Sequence, residues 1–380
     1  MEPADRDQEH ENQPTESETT RRRFALTRRG ALLGMGAVAG VAAVDVGGFA
    51  YAGGWLRPDT LTPPRFTDGF EQVFGRHAGF RRNHAKGLSA TGSFSSTGAG
   101  AAICRAAVFR PGTVPVVGRF SLGGGLPAQS DKPDTVRGLG LMFQLPDGQQ
   151  WRTAMVNFPV FTDRTPEGFY ERILASKPVA ATGKPDPQKM AAFLERHPET
   201  VAAMKIIKQT PPSAGFADST FRSLNAFYFT NSAGATVPVR WSLVPQVVPQ
   251  QAGAPANPPP STGKDFLFDD LIRAAAARPL AWKLMLTVGE PGDPTNDATR
   301  PWPQSRRSID AGTLTITGVQ TEEAGNARDI NFDPTVLPDG IGVSDDPLLA
   351  ARSAVYARSF TRRAEEPKSP SQVNVGQVRT

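Results

Sequence analysis

The chain is poor in the residues that build most metal and thiol sites. Its 380 residues contain one cysteine, Cys104, and four histidines. A lone cysteine cannot close an intrachain disulfide or supply a Cys-based metal centre. Cys104 falls in an apolar run, Ala101 to Val108, that reads as a strand, so a small buried hydrophobe is expected there rather than a reactive thiol. The histidines are scattered: His10 in a polar leader, His77 on an expected helix, His84 in an Arg-rich turn, His197 beside Pro198. No two have the spacing of zinc ligands on a helix, which argues against a zinc site or a histidine-held iron site. No G-x-G-x-x-G follows an expected strand and there is no P-loop, so nucleotide binding has no support.

Basic charge is also missing from the body of the chain. The net charge is +5, but Arg21, Arg22, Arg23, Arg28 and Arg29 crowd into one stretch near the N-terminus. No basic element with interleaved aromatics follows, so nucleic acid is not an expected partner. Hydrophobic residues (39%) and charged residues (21%) stand at ordinary globular levels, and the length allows one large domain or two smaller ones.

Residues 1–20 are polar, acidic and without periodicity, as in a disordered leader. Arg28-Arg29 then precedes an apolar Gly/Ala-rich run from Gly30 to about Val44, and Ala50-Tyr51-Ala52 offers an A-x-A site. This layout resembles a twin-arginine signal peptide. Asp45 cuts the run below the ~20 residues that span a bilayer, so cleavage is preferred over an uncleaved membrane anchor. Residues 1–52 are therefore expected to be leader and signal, 53–364 a single domain, and 365–380 a polar disordered tail. The expected location is extracytoplasmic or periplasmic, reached through the twin-arginine machinery, with the membrane met only through this segment.

Helical periodicity marks Phe66 to Arg82 (ending in a turn), Pro166 to Lys177, Pro187 to Leu194, Val201–Lys208, Asp265–Ala277 and Pro347–Arg363. Alternation marks strands at Ser89–Ser95, Ala102–Phe109, Val114–Ser121, Gly138–Gln144, Gln150–Asn157, Asn225–Thr230, Val237–Val244, Trp282–Val288 and Thr313–Val319. Asn231-Ser232-Ala233-Gly234 is a hairpin signal, and the Pro-rich stretch Pro245 to Lys264 reads as a surface connection. The order indicates an α+β domain: an antiparallel barrel first, helices around and after it.

Five short segments stand out. They are His84-Ala85-Lys86-Gly87, Arg119-Phe120-Ser121, Asp134 to Gly138, Asn157 to Phe161 (Asn-Phe-Pro-Val-Phe) and Arg352 to Tyr356. Each alone is weak: the first passes as a surface loop, and Arg352 with Tyr356 passes as an exposed cation beside a half-buried ring. Together and in this order they resemble the haem catalases, over about residues 62–363, and among them the short exported catalase-related peroxidases. Ala90, Gly92, Phe94, Trp282-Lys283-Leu284, Gly312-Thr313-Leu314 and Phe332-Asp333-Pro334 support the match.

The resemblance implies a catalase-like barrel with surrounding helices and haem b between the barrel and the C-terminal helix. It makes Tyr356 the axial ligand of the haem iron, its ionisation favoured by Fe³⁺ and by Arg352 one turn away. His84 becomes the distal acid–base group, Asn157 a hydrogen-bond donor to the peroxide, and Ser121 the partner of the other His84 nitrogen. Arg81 and Arg119, and also Arg363, would pair with haem propionates, while Phe161 walls the pocket. The implied activity is reduction of organic hydroperoxides and hydrogen peroxide through a ferryl intermediate, with a small-molecule electron donor.

Some positions depart from the pattern. Asn83 and Thr162 stand where catalases usually carry apolar residues, and Phe360 where they commonly carry His. Asn83 would make the distal pocket more polar or open. The chain is also short at both ends, which favours peroxidase over catalase chemistry, a monomer or dimer over a tetramer, and no NADPH. Rival readings are a true catalase, rearrangement of a fatty-acid hydroperoxide, a non-enzymatic haem carrier and a lipid-binding barrel without haem.

Overall fold

Strong capping signals open most of the helices. Thr62, Thr165, Asp186 and Asp346 each accept a backbone N–H from the first turn of a helix that begins with proline. The side-chain oxygen satisfies a donor that the helix cannot, and proline at the first position has no N–H to waste. These caps start α1 (Pro63–Phe74), α2 (Pro166–Ala175), α3 (Pro187–Arg196) and α6 (Pro347–Ala364). The computed structural model describes residues 60–246 and 263–378. The expected leader, the signal and most of the 245–264 connection lie outside the described residues.

Eight antiparallel strands close into a barrel. They are β1 (Gly87–Ser96), β2 (Gly112–Leu122), β3 (Arg137–Gln144), β4 (Gln150–Val156), β5 (Phe221–Arg222), β7 (Thr236–Pro245), β8 (Leu280–Val288) and β9 (Ser308–Gln320). β1 pairs with β9 and β7 with β8, which removes the open edges. β6 (Phe227–Thr230) and β10 (Ile341–Val343) extend the sheet from β7. The remaining helices are α4 (Pro198–Lys208) and α5 (Phe266–Ala277).

Register decides what faces where. Leu88, Phe120, Leu139 and Met155 align across β1–β4 and belong to the main core, together with Trp151, Trp241 and Trp282. The adjacent row Gly87, Ser121, Gly138 and Val156 therefore points to the opposite, outer face, because side chains alternate along a strand.

Several expectations need correction. Ala102–Phe109 is not a strand: it forms two short 3₁₀ turns, Ala99–Ala102 and Ala107–Phe109. The run is apolar without strict alternation, and such runs do not distinguish a strand from other buried structure. Cys104 is fully buried there, and burial pushes its thiol up to about 11. The first helix stops at Phe74 rather than Arg82, because Gly75 takes φ +82°. Residues 365–378 differ from a disordered tail. They lie along the domain, with Glu366 and Val373 buried and Glu366 paired with Arg82 at 2.6 Å.

One buried cluster ties the strand after His84 to α5. Lys86 Nζ donates to Asp131 and Asp265, each at 2.6 Å, and to the Gln129 carbonyl at 2.9 Å. Lys86 is 1% exposed. Burial pushes the Asp131 carboxyl upward despite the ammonium beside it. Lys86→Met would leave these carboxylates without their cation. It is expected to cost about 3–5 kcal/mol in denaturant unfolding; a loss under about 1 kcal/mol would mean the cluster is no stronger than a surface pair.

Candidate active site

The outer face of β2–β4 and helices α1, α2 and α6 line one large cavity. Its empty space is about 1300 Å³, the open mouth included. Phe66, Phe70, Phe161, Phe169 and Val355 make one part of the wall apolar. Among the described residues the lining also contains five arginines, at 81, 82, 119, 352 and 363, and no carboxylate.

His84 enters from the loop between α1 and β1. Its Nδ1 lies 3.1 Å from Ser121 Oγ. Two glycines make room for this arrangement. A methyl group on Gly138 would sit 2.8 Å from Ser121 Oγ and 3.0 Å from the His84 ring. One on Gly87 would sit 2.5 Å from the Arg119 guanidinium. Burial first, then Arg119, Arg352 and Arg81, lower the His84 pKa from 6.5 to about 3. The imidazole is therefore neutral at physiological pH and ready to accept a proton. The backbone of His84 is left-handed, φ +56°, a conformation costing about 1–2 kcal/mol for a residue with a side chain.

The guanidinium groups share one buried acid. Arg119 Nε and Nη2 grip both oxygens of Glu322, at 2.6 and 2.9 Å, and Arg81 reaches the same carboxylate at 3.3 Å. Burial works against ionising Glu322, but Arg119, then Arg81 and Arg363, hold its pKa down at about 2. Arg81 also donates to the carbonyls of Ala327 and Ile330. Arg363 donates to the carbonyls of Arg328 and Ile330 and lies over the Phe360 ring at 4.8 Å. Burial and then repulsion from Arg119 lower Arg363 to about 10 and Arg81 well below its usual value, with Arg363 adding to the repulsion on Arg81. Three cations thus meet one carboxylate, an arrangement that favours a further anion.

Tyr356 and Arg352 share one face of α6. Arg352 lies over the Tyr356 ring at 5.7 Å, and its Nη2 donates to the phenol oxygen at 3.4 Å and to the Ala154 carbonyl at 2.9 Å. Asn225 orients it: Oδ1 accepts from Arg352 at 2.5 Å while Nδ2 donates to the helix cap Asp346 at 2.7 Å. Ser353 donates to Asp333 at 2.6 Å, which fixes the other side of the helix.

The structure thus brings His84, Ser121, Arg81 and Arg119 to the same cavity as Phe161, Arg352, Tyr356 and Arg363. Asn157 is not among the lining residues. It sits at the end of β4, where Oδ1 accepts the Arg137 N–H at 2.9 Å and its own N–H donates back to the Arg137 carbonyl at 3.0 Å. His77 bonds the Phe74 carbonyl, and His197 bridges Glu199 and Glu171, both away from the cavity. Glu322, Asn225, Leu224 and Phe332 escaped the sequence reading. Only Phe332 carried a signal, as a supporting landmark. The Thr162 hydroxyl donates to Asp163 at 2.6 Å.

Comparison with known proteins agrees with this geometry. A family model described as Catalase matches residues 72–377. A catalase-related peroxidase of Synechococcus elongatus is 40% identical over 309 residues, 80% of this chain and 89% of that protein. One of Mycolicibacterium paratuberculosis is 32% identical over 306 residues, 80% of this chain and 95% of that protein. A bacterial catalase structure aligns with TM-score 0.64 and 22% identity, covering 78% of this chain and 60% of its own. Catalase A from Saccharomyces cerevisiae gives 0.63 and 21%, covering 79% and 65%. At these identities the two solved structures speak to the fold, and the chain spans less than two thirds of each.

The His84 shift has a definite sign. Its folded pKa lies below the unfolded 6.5, so as pH falls the unfolded chain takes the proton first. The stability contributed by the neutral ring is complete above 6.5 and is lost between 6.5 and about 3. Titration of the His84 ring by NMR is expected to show no protonation between about pH 8 and about pH 5. An inflection near 6.5 would contradict a ring held neutral by its burial and by the arginines around it.

Proposed function

Because this chain belongs to the catalase family, as the match over residues 72–377 shows, we propose that it is a haem-dependent peroxidase reducing organic hydroperoxides as well as hydrogen peroxide. The observation that carries the reading is the convergence of the His84–Ser121 and Tyr356–Arg352 pairs on one cavity with five arginines and no carboxylate.

The residues fit haem b. The apolar wall suits the macrocycle, and the guanidinium groups of Arg81, Arg119 and Arg363, which have only Glu322 among them as an acid partner, suit two propionates. Tyr356 would hold the iron, with Arg352 donating to its phenol oxygen at 3.4 Å. When bound, haem supplies a redox-active iron that lets peroxide be reduced and a donor be oxidised.

The protein's own part is proton handling. In the tautomer whose Nδ1 donates to Ser121, Nε2 of His84 is the free acceptor. Nε2 would take the proton of a bound hydroperoxide and return it to the oxygen that leaves as water or an alcohol when the O–O bond breaks, the electrons being supplied by the haem. Asn157, whose Oδ1 is engaged by the Arg137 N–H, does not line the cavity, so the hydrogen bond to the peroxide that the resemblance gave it forms no part of this reading. Phe161 packs edge-on against Phe169 at 5.2 Å and keeps water from this side of the cavity.

The same reading includes twin-arginine export to an extracytoplasmic compartment, supported by Arg28-Arg29 ahead of the apolar run. It also includes a monomer or dimer.

The test follows O₂ release and dye oxidation together on haem-loaded full-length protein, with H₂O₂ and then an organic hydroperoxide. Fast dye oxidation with both, and little O₂, is expected. Vigorous O₂ release with negligible dye oxidation would make the protein a true catalase instead.

A further inference from the structure

Among the described residues, two other than glycine have positive φ: His84 at +56° and Leu224 at +62°, and both line the cavity. Left to itself, a histidine backbone relaxes to negative φ. Something must hold His84 where it is, and the contacts that do so are few.

The His84 carbonyl accepts from Arg119 Nη1 at 2.8 Å. Ala85 N–H donates to the Gly124 carbonyl at 3.0 Å. The remaining two bonds meet on a single side-chain atom. Asn83 Oδ1 accepts the His84 N–H at 3.0 Å and the Gly124 N–H at 2.9 Å. Asn83 thus ties the turn carrying His84 to the Gly123-Gly124-Gly125 segment beneath it. The sequence reading gave Asn83 a different part, that of making the pocket polar. Its acceptor oxygen is instead spent on the backbone.

We propose that Asn83 is a positioning residue: its side-chain oxygen locks the left-handed backbone of His84 and so aims the imidazole at Ser121 and the cavity. The proposal rests on the reading of His84 as the proton acceptor. An apolar residue at 83 cannot accept these two N–H groups, whereas Asp can. Without the oxygen, the His84 N–H and the Gly124 N–H lose their partner and φ is free to turn negative. That rotation swings the Cα–Cβ bond and carries the ring away from Ser121 Oγ. Arg119 and the Gly124 carbonyl still hold the chain on either side, so the domain itself stays folded.

The experiment compares haem-loaded full-length wild type, Asn83→Ala, Asn83→Asp and His84→Ala. Two readouts are used: the rate of reaction with peroxide, and the association rate of cyanide. Cyanide arrives as HCN and must yield its proton to a base in the cavity, so it reports the placement of the imidazole without turnover. Asn83→Ala is expected to slow both by about 10- to 100-fold, with melting temperature and haem content near wild type, while Asn83→Asp stays within about threefold of wild type. Wild-type rates in Asn83→Ala beside a slow His84→Ala would overturn the proposal. So would an Asn83→Asp as slow as Asn83→Ala, because the amide NH₂ and not the acceptor oxygen would then be what matters. A fast His84→Ala would instead overturn the acid–base reading beneath it. If Asn83→Ala gives no folded holoprotein, Asn83→Leu, which keeps the volume and lacks the acceptor, carries the same expectations.

Discussion

The guanidinium of Arg119 lies buried on the outer face of β2, where it meets Glu322 through two nitrogens and the carbonyls of His84 and Ala85 through two. It has room there because Gly87 on the neighbouring strand lacks a side chain. Its positive field lowers the His84 pKa and helps keep Glu322 ionised. Backbone placement, charge and proton affinity in the cavity thus converge on one side chain. Burying a cation is costly unless it is paired and hydrogen-bonded. Arg119 is both, which lets it act as a fixed strut.

Its neighbours are less well compensated. Arg81 and Arg363 rely on carbonyl oxygens; Arg81 also reaches Glu322 at 3.3 Å, while Arg363 interacts with that carboxylate only through its field. The cavity therefore holds more positive charge than its own acids balance, beside an apolar aromatic wall. A flat, largely apolar dianion answers both features at once. Burial and then the same surplus keep His84 neutral, so the charges that suit an anion also hold the ring in its unprotonated form.

Much of this was legible in the sequence where period and motif coincide. Alternation in β1–β4 gave the strands that carry Gly87, Ser121 and Gly138, and the i, i+4 spacing put Arg352 and Tyr356 on one helix face. The long barrel strands were readable because each spans enough residues to show a period of two. β5 has two residues and β10 three, too few to show any period. Glu322 was silent because an acid in a polar stretch looks the same whether solvated or buried beneath arginines. The tail misled for a similar reason: polar composition suggested disorder, whereas Glu366 is held by Arg82 and Arg76. Asn83 was noticed, but as a departure from a pattern; its hydrogen bonds depend on a backbone angle that no spacing reveals.

We propose that surplus guanidinium charge selects a dianionic haem. This is tested most directly by titrating full-length protein with ferric haem and with its dimethyl ester, whose propionates carry no charge, and following the Soret absorbance. Saturable one-to-one binding of haem, with the ester bound at least about tenfold more weakly, is predicted. Equal affinity for the two would contradict the account, because the arginines would then have no part in holding the group.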